Sequence, residues 1–172
     1  MIGGATGFVG DPSGKDESRS FLDEKQLRHN QEKISQQVRQ FMKNLNAITG
    51  KELKVEFVNN YDFVKDMSIF DFFSQVGKYI TVNTMLSKES IKKRIEDPEL
   101  SITYTEFSYM LLQGYDFLHL FEKEGVKLQI GGSDQWGNMV TGTEMIRKKL
   151  GGDQECYVMT IPLLLDSTGR KF

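Results

Sequence analysis

Three polar side chains interrupt one of the most apolar stretches of the chain. In "TEFSYMLLQGYDFLHLFEKEG" (residues 105–125), Tyr109, Gln113 and Asp116 recur at i, i+4 and i+7. A helix puts such positions on one face. Their neighbours are Phe107, Met110, Leu111, Leu112, Phe117 and Leu118, so the ridge is polar within an apolar element. Buried polar groups are costly unless paired. One reading is a hydrogen-bonded network internal to the protein. The other is a pocket for a small polar ligand, and a phenol, an amide and a carboxylate suit one that carries an ammonium group and a hydroxyl.

Two further stretches concentrate residues of this kind. "QIGGSDQWGN" (residues 129–138) runs from a buried-type strand into Gly131-Gly132 and then Ser133, Asp134 and Gln135. In open parallel sheets, ligands sit beyond the carboxyl ends of strands. Asp134 could accept from ribose hydroxyls, and Gln135 offers both a donor and an acceptor. A strand-to-helix turn capped by Ser133 or Asp134 is the structural alternative, with Trp136 as a core anchor. Near the start, "GGATGFVGDPSGK" (residues 3–15) spaces Gly4, Gly7 and Gly10 as G-x-x-G-x-x-G. Glycines at that spacing let backbone N–H groups approach a phosphate or ribose. A structural glycine-rich turn is the plain alternative.

The glycine spacing also fits the nucleotide loop of a short-chain reductase, and Tyr61 and Lys65 supply a Y-x-x-x-K. Two features weigh against that fold. Asp11-Pro12-Ser13-Gly14 turns the chain where a helix should open, and Tyr61 follows the loop too closely. A phosphate-loop NTPase fails on spacing, because Lys15 is followed by Asp16.

The elements that must position these residues follow from periodicity. Helical spacing covers Leu22–Asn46, with apolar residues at 27, 34, 38, 41, 42 and 45. "KVEFVNN" (Lys54–Asn60) alternates like a strand ending in an Asn pair. Helices are predicted over Ser68–Tyr79 with Ser68 as N-cap, over Lys88–Glu96, and over Thr105–Gly125 with Gly125 just past its end. A strand over Val126–Gly132, a loop and helix over Ser133–Gly152, and a strand over Cys156–Leu165 follow. The opening residues 3–14 read as a glycine-rich turn. No repeat, linker or low-complexity tract is visible. Strand–helix alternation toward the C-terminal half argues for an α/β fold with parallel strands.

Bulk properties narrow the class. The chain has 172 residues, 27% charged and 38% hydrophobic, an ordinary globular composition. A net charge of −2 gives no field for gathering polyanions. One cysteine, Cys156, excludes a disulfide framework and points to a reducing compartment. No apolar run approaches the roughly 20 residues of a membrane span, and no basic segment leads into an apolar one as in a secretory signal. A cytoplasmic location with no membrane partner is expected.

Taken together, "GGATGFVGDPSGK", "NNYDF", "TVNTMLSKES", "TEFSYMLLQGYDF" and "LQIGGSDQWGN" resemble, in order, segments of bacterial-type tyrosyl-tRNA synthetases, which are class I aminoacyl-tRNA synthetases. The likeness covers nearly the whole chain and is weakest over residues 22–53. It implies a Rossmann-like parallel sheet with flanking helices and a helical insertion near residues 60–125 that contributes a homodimer interface. It implies the reaction of L-tyrosine with ATP to tyrosyl-adenylate, then transfer to tRNA(Tyr). ATP is then a substrate that brings Mg2+, and no protein-bound metal is expected.

By the same resemblance, Asp11, Tyr109 and Gln113 hold the tyrosine ammonium, Asp116 accepts from its phenol hydroxyl, and Gln135 meets the carboxylate region. Gly4, Thr6, Gly7, Gly132 and Asp134 line the ATP or adenylate site. Lys15, Arg19 and Lys171 face phosphates. The family's HIGH-type segment has no counterpart here: His29 and His119 are the two histidines, and neither lies in such a motif. Its KMSKS-type loop is met only by Lys171-Phe172. The resemblance therefore implies the middle of a catalytic domain, retaining much of the tyrosine pocket and inactive by itself. Tryptophanyl enzymes share the fold, and the Tyr109, Gln113 and Asp116 set favours a phenol. A non-catalytic binding or scaffold module is the non-enzymatic alternative.

Overall fold

The computed structural model describes residues 1–11 and 23–169. The chain divides into two compact units: residues 1–10 and 20–67 form the first, residues 11–19 and 68–172 the second.

In the first unit, Gly4–Val9 is a six-residue helix, α1, where the spacing predicts a turn. Two glycines, a Thr and a Val disfavour helix intrinsically, so neighbours must hold it. Asn59 and Asn60 do so. The Asn59 Oδ1 accepts from the Gly4 N–H at 3.0 Å, and the Asn60 Oδ1 accepts from the Ala5 N–H at 2.7 Å. These donors belong to the first turn of α1, where no intrahelical partner exists. The Asn60 Nδ2 also donates to the Thr6 hydroxyl at 3.0 Å, and Asn60 is fully buried.

Helix α2, Glu24–Thr49, is capped by the Asp23 side chain and closed by left-handed Gly50. Its ridge is mostly open: Leu27 is buried, while Ile34, Val38 and Phe41 are exposed. The predicted strand Lys54–Asn60 does not form. Among the described residues its alternation finds no partner strand, and Ile2 bridges Asn59 in parallel. A short helix, α3, spans Asn60–Val64 with Asn59 as N-cap.

The second unit carries the sheet. Ser68 and Asp71 close a capping box on α4, Ile69–Gln75, and a 3-10 turn follows at Gly77–Tyr79. The short α5, Val82–Leu86, and then α6, Glu89–Glu96, come next. Helix α7, Tyr104–Glu124, starts on a Thr103–Glu106 capping box and stops at left-handed Gly125. Strands β1, Leu128–Gly132, and β2, Tyr157–Ile161, pair in parallel around α8, Trp136–Leu150. The result is the α/β fold with parallel strands that the alternation predicts. No helix of the described residues is long and apolar enough to cross a membrane.

Two contacts fix α7. Glycines let it approach α8 closely: a Cβ on Gly142 would lie 2.8 Å from the Phe117 Cβ, and one on Gly114 would lie 3.1 Å from Thr141 and Met145. At the other end, the Arg94 guanidinium meets the Glu106 carboxylate at 3.0 Å, with both side chains almost wholly buried. Arg94 also donates to the Ser101 carbonyl, which ties α6, the following loop and the first turn of α7 together. Burial pushes the Glu106 carboxyl up, but donors from Thr103 and Arg94 outweigh it and hold it below its ordinary value.

Removing one member of a buried pair leaves the other uncompensated, at about 3–5 kcal/mol. Arg94→Ala is therefore expected to destabilise the chain by that amount in urea unfolding; a loss within about 0.5 kcal/mol, the level of an ordinary surface substitution, would contradict the role. The pH sign follows from the depressed Glu106 value. Its stabilisation is complete above the unfolded-state value, about 4.3, and drains away as pH falls through the folded one.

Candidate functional site

The site is built at the end of β1. Its strand conformation places Gln129 and Gly131 on one face, and a Cβ on Gly131 would sit 3.1 Å from the Met139 sulfur and 3.2 Å from the Gln135 Cβ. That face is turned to the start of α8. After Gly132 the chain makes a 3-10 turn, Ser133–Gln135, and enters α8 with Gln135 at the N-cap position and no side-chain cap. Neither Ser133 nor Asp134 caps the helix, contrary to the structural alternative. Asp134 instead folds back over the strand end, and a Cβ on Gly132 would lie 2.7 Å from its Oδ1.

The Gln135 amide is used elsewhere. Its Nε2 donates to the Asp11 Oδ2 at 2.6 Å. The Asn138 Nδ2 donates to the Asp11 Oδ1 at 3.3 Å and to the Gln135 Oε1 at 3.2 Å. Each carboxylate oxygen of Asp11 thus meets an amide donor, and the two amides meet each other. Asp11 and Gln135 are both predicted site residues, 124 positions apart. Asn138 is 6% exposed and was missed, although it closes the quoted GGSDQWGN stretch.

Gln129 was missed as well. Its Oε1 is buried with no hydrogen-bond partner among the described residues. Such an atom is expensive in a finished interior. An amide between Leu128 and Ile130 in an apolar strand was the available signal.

The predicted ridge lies on α7. Asp116 is 2% exposed and Tyr109 is 9% exposed, while Gln113 is half-buried. Gly114, beside Gln113, packs on Thr141, and Asn138 is one turn before Thr141 on α8. A cavity of about 640 Å³ is lined by Tyr115, His119, Glu122 and Lys149 among others, and one of about 620 Å³ by Trp136, Glu144, Arg147 and Tyr157 among others. Neither includes Asp11 or the ridge. Burial, then Glu122 and Asp116, pushes the Tyr115 hydroxyl up; burial, then Lys123, lowers His119.

In the first unit, Gly4, Thr6 and Gly7 lie on α1. The close approach that their glycines permit is made by the protein itself. A Cβ on Gly4 would fall 2.1 Å from the Asn59 Oδ1, and one on Gly7 would fall 2.8 Å from the Leu27 Cδ1. Tyr61 and Lys65, the reductase pair, stand at the two ends of α3. There Arg28 lies over the Tyr61 ring and Lys65 is 3.9 Å from Asp62. Lys15, Arg19 and Lys171 lie outside the described residues. Among the described residues, no group of three or more His, Cys, Asp or Glu is placed to hold a metal ion.

A parallel βαβ unit whose strand empties into a glycine pair and a clustered carboxylate and amide is a nucleotide-fold arrangement of the synthetase type. Residues 1–172 match the family model of tRNA synthetases class I (W and Y), and the chain belongs to that family. It is 53% identical over 173 residues to a tyrosine–tRNA ligase of Bacteroides fragilis and 51% identical over 172 residues to one of Streptococcus pyogenes. All of this chain is covered in both, and 39% of each relative, so the chain spans well under half the length of these curated relatives. A C-terminally truncated mitochondrial tyrosyl-tRNA synthetase of Aspergillus nidulans superposes with a TM-score of 0.80 at 26% identity, over 98% of this chain and 52% of that one.

Over-packing a close contact costs about 1–3 kcal/mol. Gly4→Ala is expected to lower stability by that much in denaturant unfolding with no ligand present. A change within about 0.5 kcal/mol would mean that the Asn59 contact does not explain this glycine.

Proposed function

We propose that this chain forms the tyrosine- and ATP-binding part of a tyrosine–tRNA ligase. The observation that supports the reading most is the Asp11–Gln135–Asn138 cluster, which joins an anionic and an amide group from distant motifs at a strand's carboxyl end. A zwitterionic amino acid needs such a pair: a carboxylate for its ammonium and an amide donor for its carboxylate.

Asp11, Tyr109 and Gln113 hold the ammonium in this reading, Asp116 accepts from the phenol hydroxyl, and Gln135 donates to the carboxylate. Gly4, Thr6, Gly7, Gly132 and Asp134 serve the adenylate, with Asp134 on the ribose. Lys15, Arg19 and Lys171 face the phosphates. The chemical step is attack of the tyrosine carboxylate on the α-phosphorus of ATP, with pyrophosphate leaving, followed by transfer of the tyrosyl group to a hydroxyl of tRNA(Tyr), with AMP leaving. The protein contributes alignment and stabilisation of developing charge rather than covalent chemistry. Mg2+ would arrive on the nucleotide's phosphates, as this ion usually does.

Self-association through the region near residues 60–125 belongs to the same proposal. Its apolar residues divide: Val76, Ile80 and Met85 are buried, whereas Ile69, Phe70, Phe73, Val82 and Leu86 are exposed. The first set is intramolecular core, and the second is apolar surface of the sort that interfaces cover. A cytoplasmic setting fits the single buried cysteine.

The test is ligand preference. A hydrogen bond to a charged group contributes about 1.5–3 kcal/mol, so tyrosine is expected to bind about ten- to a hundredfold tighter than phenylalanine by calorimetric titration. Asp116→Ala is expected to bring that ratio to about one. Equal affinity for both amino acids in the unsubstituted chain, or a ratio that survives the substitution, would refute the assignment.

A further inference from the structure

The three-membered cluster contains more than two ligand groups. Asp11 can only accept, so the amides beside it must turn their NH2 ends toward it. Asn138 does so from a buried position on α8, and the same Nδ2 also faces the Gln135 Oε1 at 3.2 Å. That contact fixes which way round the Gln135 amide sits. With Oε1 held by Asn138, the Nε2 end must point away from it, and here it rests on the Asp11 Oδ2 at 2.6 Å. The Gln135 Nε2 and the Asp11 Oδ2 therefore satisfy each other. A zwitterion entering between them would hand its ammonium to Asp11 and its carboxylate to the Gln135 Nε2. Both new contacts require the amide polarity that Asn138 sets.

We propose that Asn138 is a positioning residue for recognition of the amino acid's two charges: it holds the Asp11 carboxylate and fixes the orientation of the Gln135 amide. It touches neither the ammonium nor the carboxylate. The inference rests on the proposal that Asp11 and Gln135 bind a zwitterionic tyrosine, and it adds the residue that makes them a matched pair. Once a ligand carboxylate draws the Gln135 Nε2 away from Asp11, Asn138 is the member of the cluster that still fixes the amide; without it the Gln135 oxygen can turn toward the carboxylate and repel it.

The experiment measures dissociation constants for three probes: tyrosine, tyramine (no carboxylate) and 3-(4-hydroxyphenyl)propionate (no ammonium). They are titrated into the chain and into its Asn138→Ala and Asn138→Asp variants. One charge-assisted hydrogen bond corresponds to a factor of about ten or more. Tyrosine and 3-(4-hydroxyphenyl)propionate, which carry the carboxylate, are expected to weaken about tenfold in Asn138→Ala, while tyramine changes by less than about threefold. The advantage that the carboxylate confers then collapses. Asn138→Asp keeps the shape, replaces the donor with a carboxylate beside Asp11, and is expected to weaken tyrosine further. If that variant does not fold, Asn138→Ala decides alone. Equal losses for all three probes would mark a merely structural residue and overturn the proposal, as would unchanged tyrosine binding. An unsubstituted chain that binds none of the probes would overturn the tyrosine reading itself, and this inference with it.

Discussion

The carboxylate of Asp11 sits half-buried against the first turn of α8. Its two oxygens accept from Gln135 and Asn138, which each present an NH2 group. Much of the second unit can be understood as scaffolding for this arrangement. The glycines at 131 and 132 bring the strand end within contact of Gln135 and Asp134, and the absence of a side-chain cap on α8 leaves Gln135 available.

The α7 ridge depends on packing of a different kind. Gly114 and Gly142 bring the α7 and α8 backbones close enough that Thr141 and Phe117 fill the space between them. Tyr109 and Asp116 are buried on the same helix. The buried Arg94–Glu106 pair anchors the other end of α7, although the Arg94 Nε lacks a partner among the described residues. Such a pair contributes little net stability against an apolar substitute but a large penalty when broken. It acts as a fixed corner that sets where α7 begins.

Elements with strong local signals were legible in the sequence. Helix α7 combines a capping box, dense apolar content and a terminal glycine, and its observed range, Tyr104–Glu124, lies within a residue of the predicted one. The Ser68 cap, α6, α8 and the parallel strand pair were legible for similar reasons. What failed depends on partners. Lys54–Asn60 alternates like a strand, but a strand needs a neighbour, and among the described residues Ile2 provides a single bridge. The glycine stretch reads as a turn because its residues disfavour helix; Asn59 and Asn60, more than fifty positions away, reverse that by taking its first N–H groups. Helices α3 and α5 are five residues each, too short for periodicity to register. Of the candidate site, Asp11 and Gln135 were named through motifs. Asn138 was not, because its role lies in hydrogen bonds that no spacing rule encodes, and Gln129 was not, because its mark is a buried amide oxygen with no partner among the described residues.

A crystal structure of the chain with L-tyrosine bound tests the central claim most directly. The account predicts the ammonium on Asp11, the phenol oxygen within hydrogen-bond distance of Asp116, and the Gln135 Nε2 transferred from Asp11 to the ligand carboxylate while Asn138 keeps its hold on Oε1. Tyrosine lodged elsewhere, with the Asp11–Gln135 contact undisturbed, would contradict it.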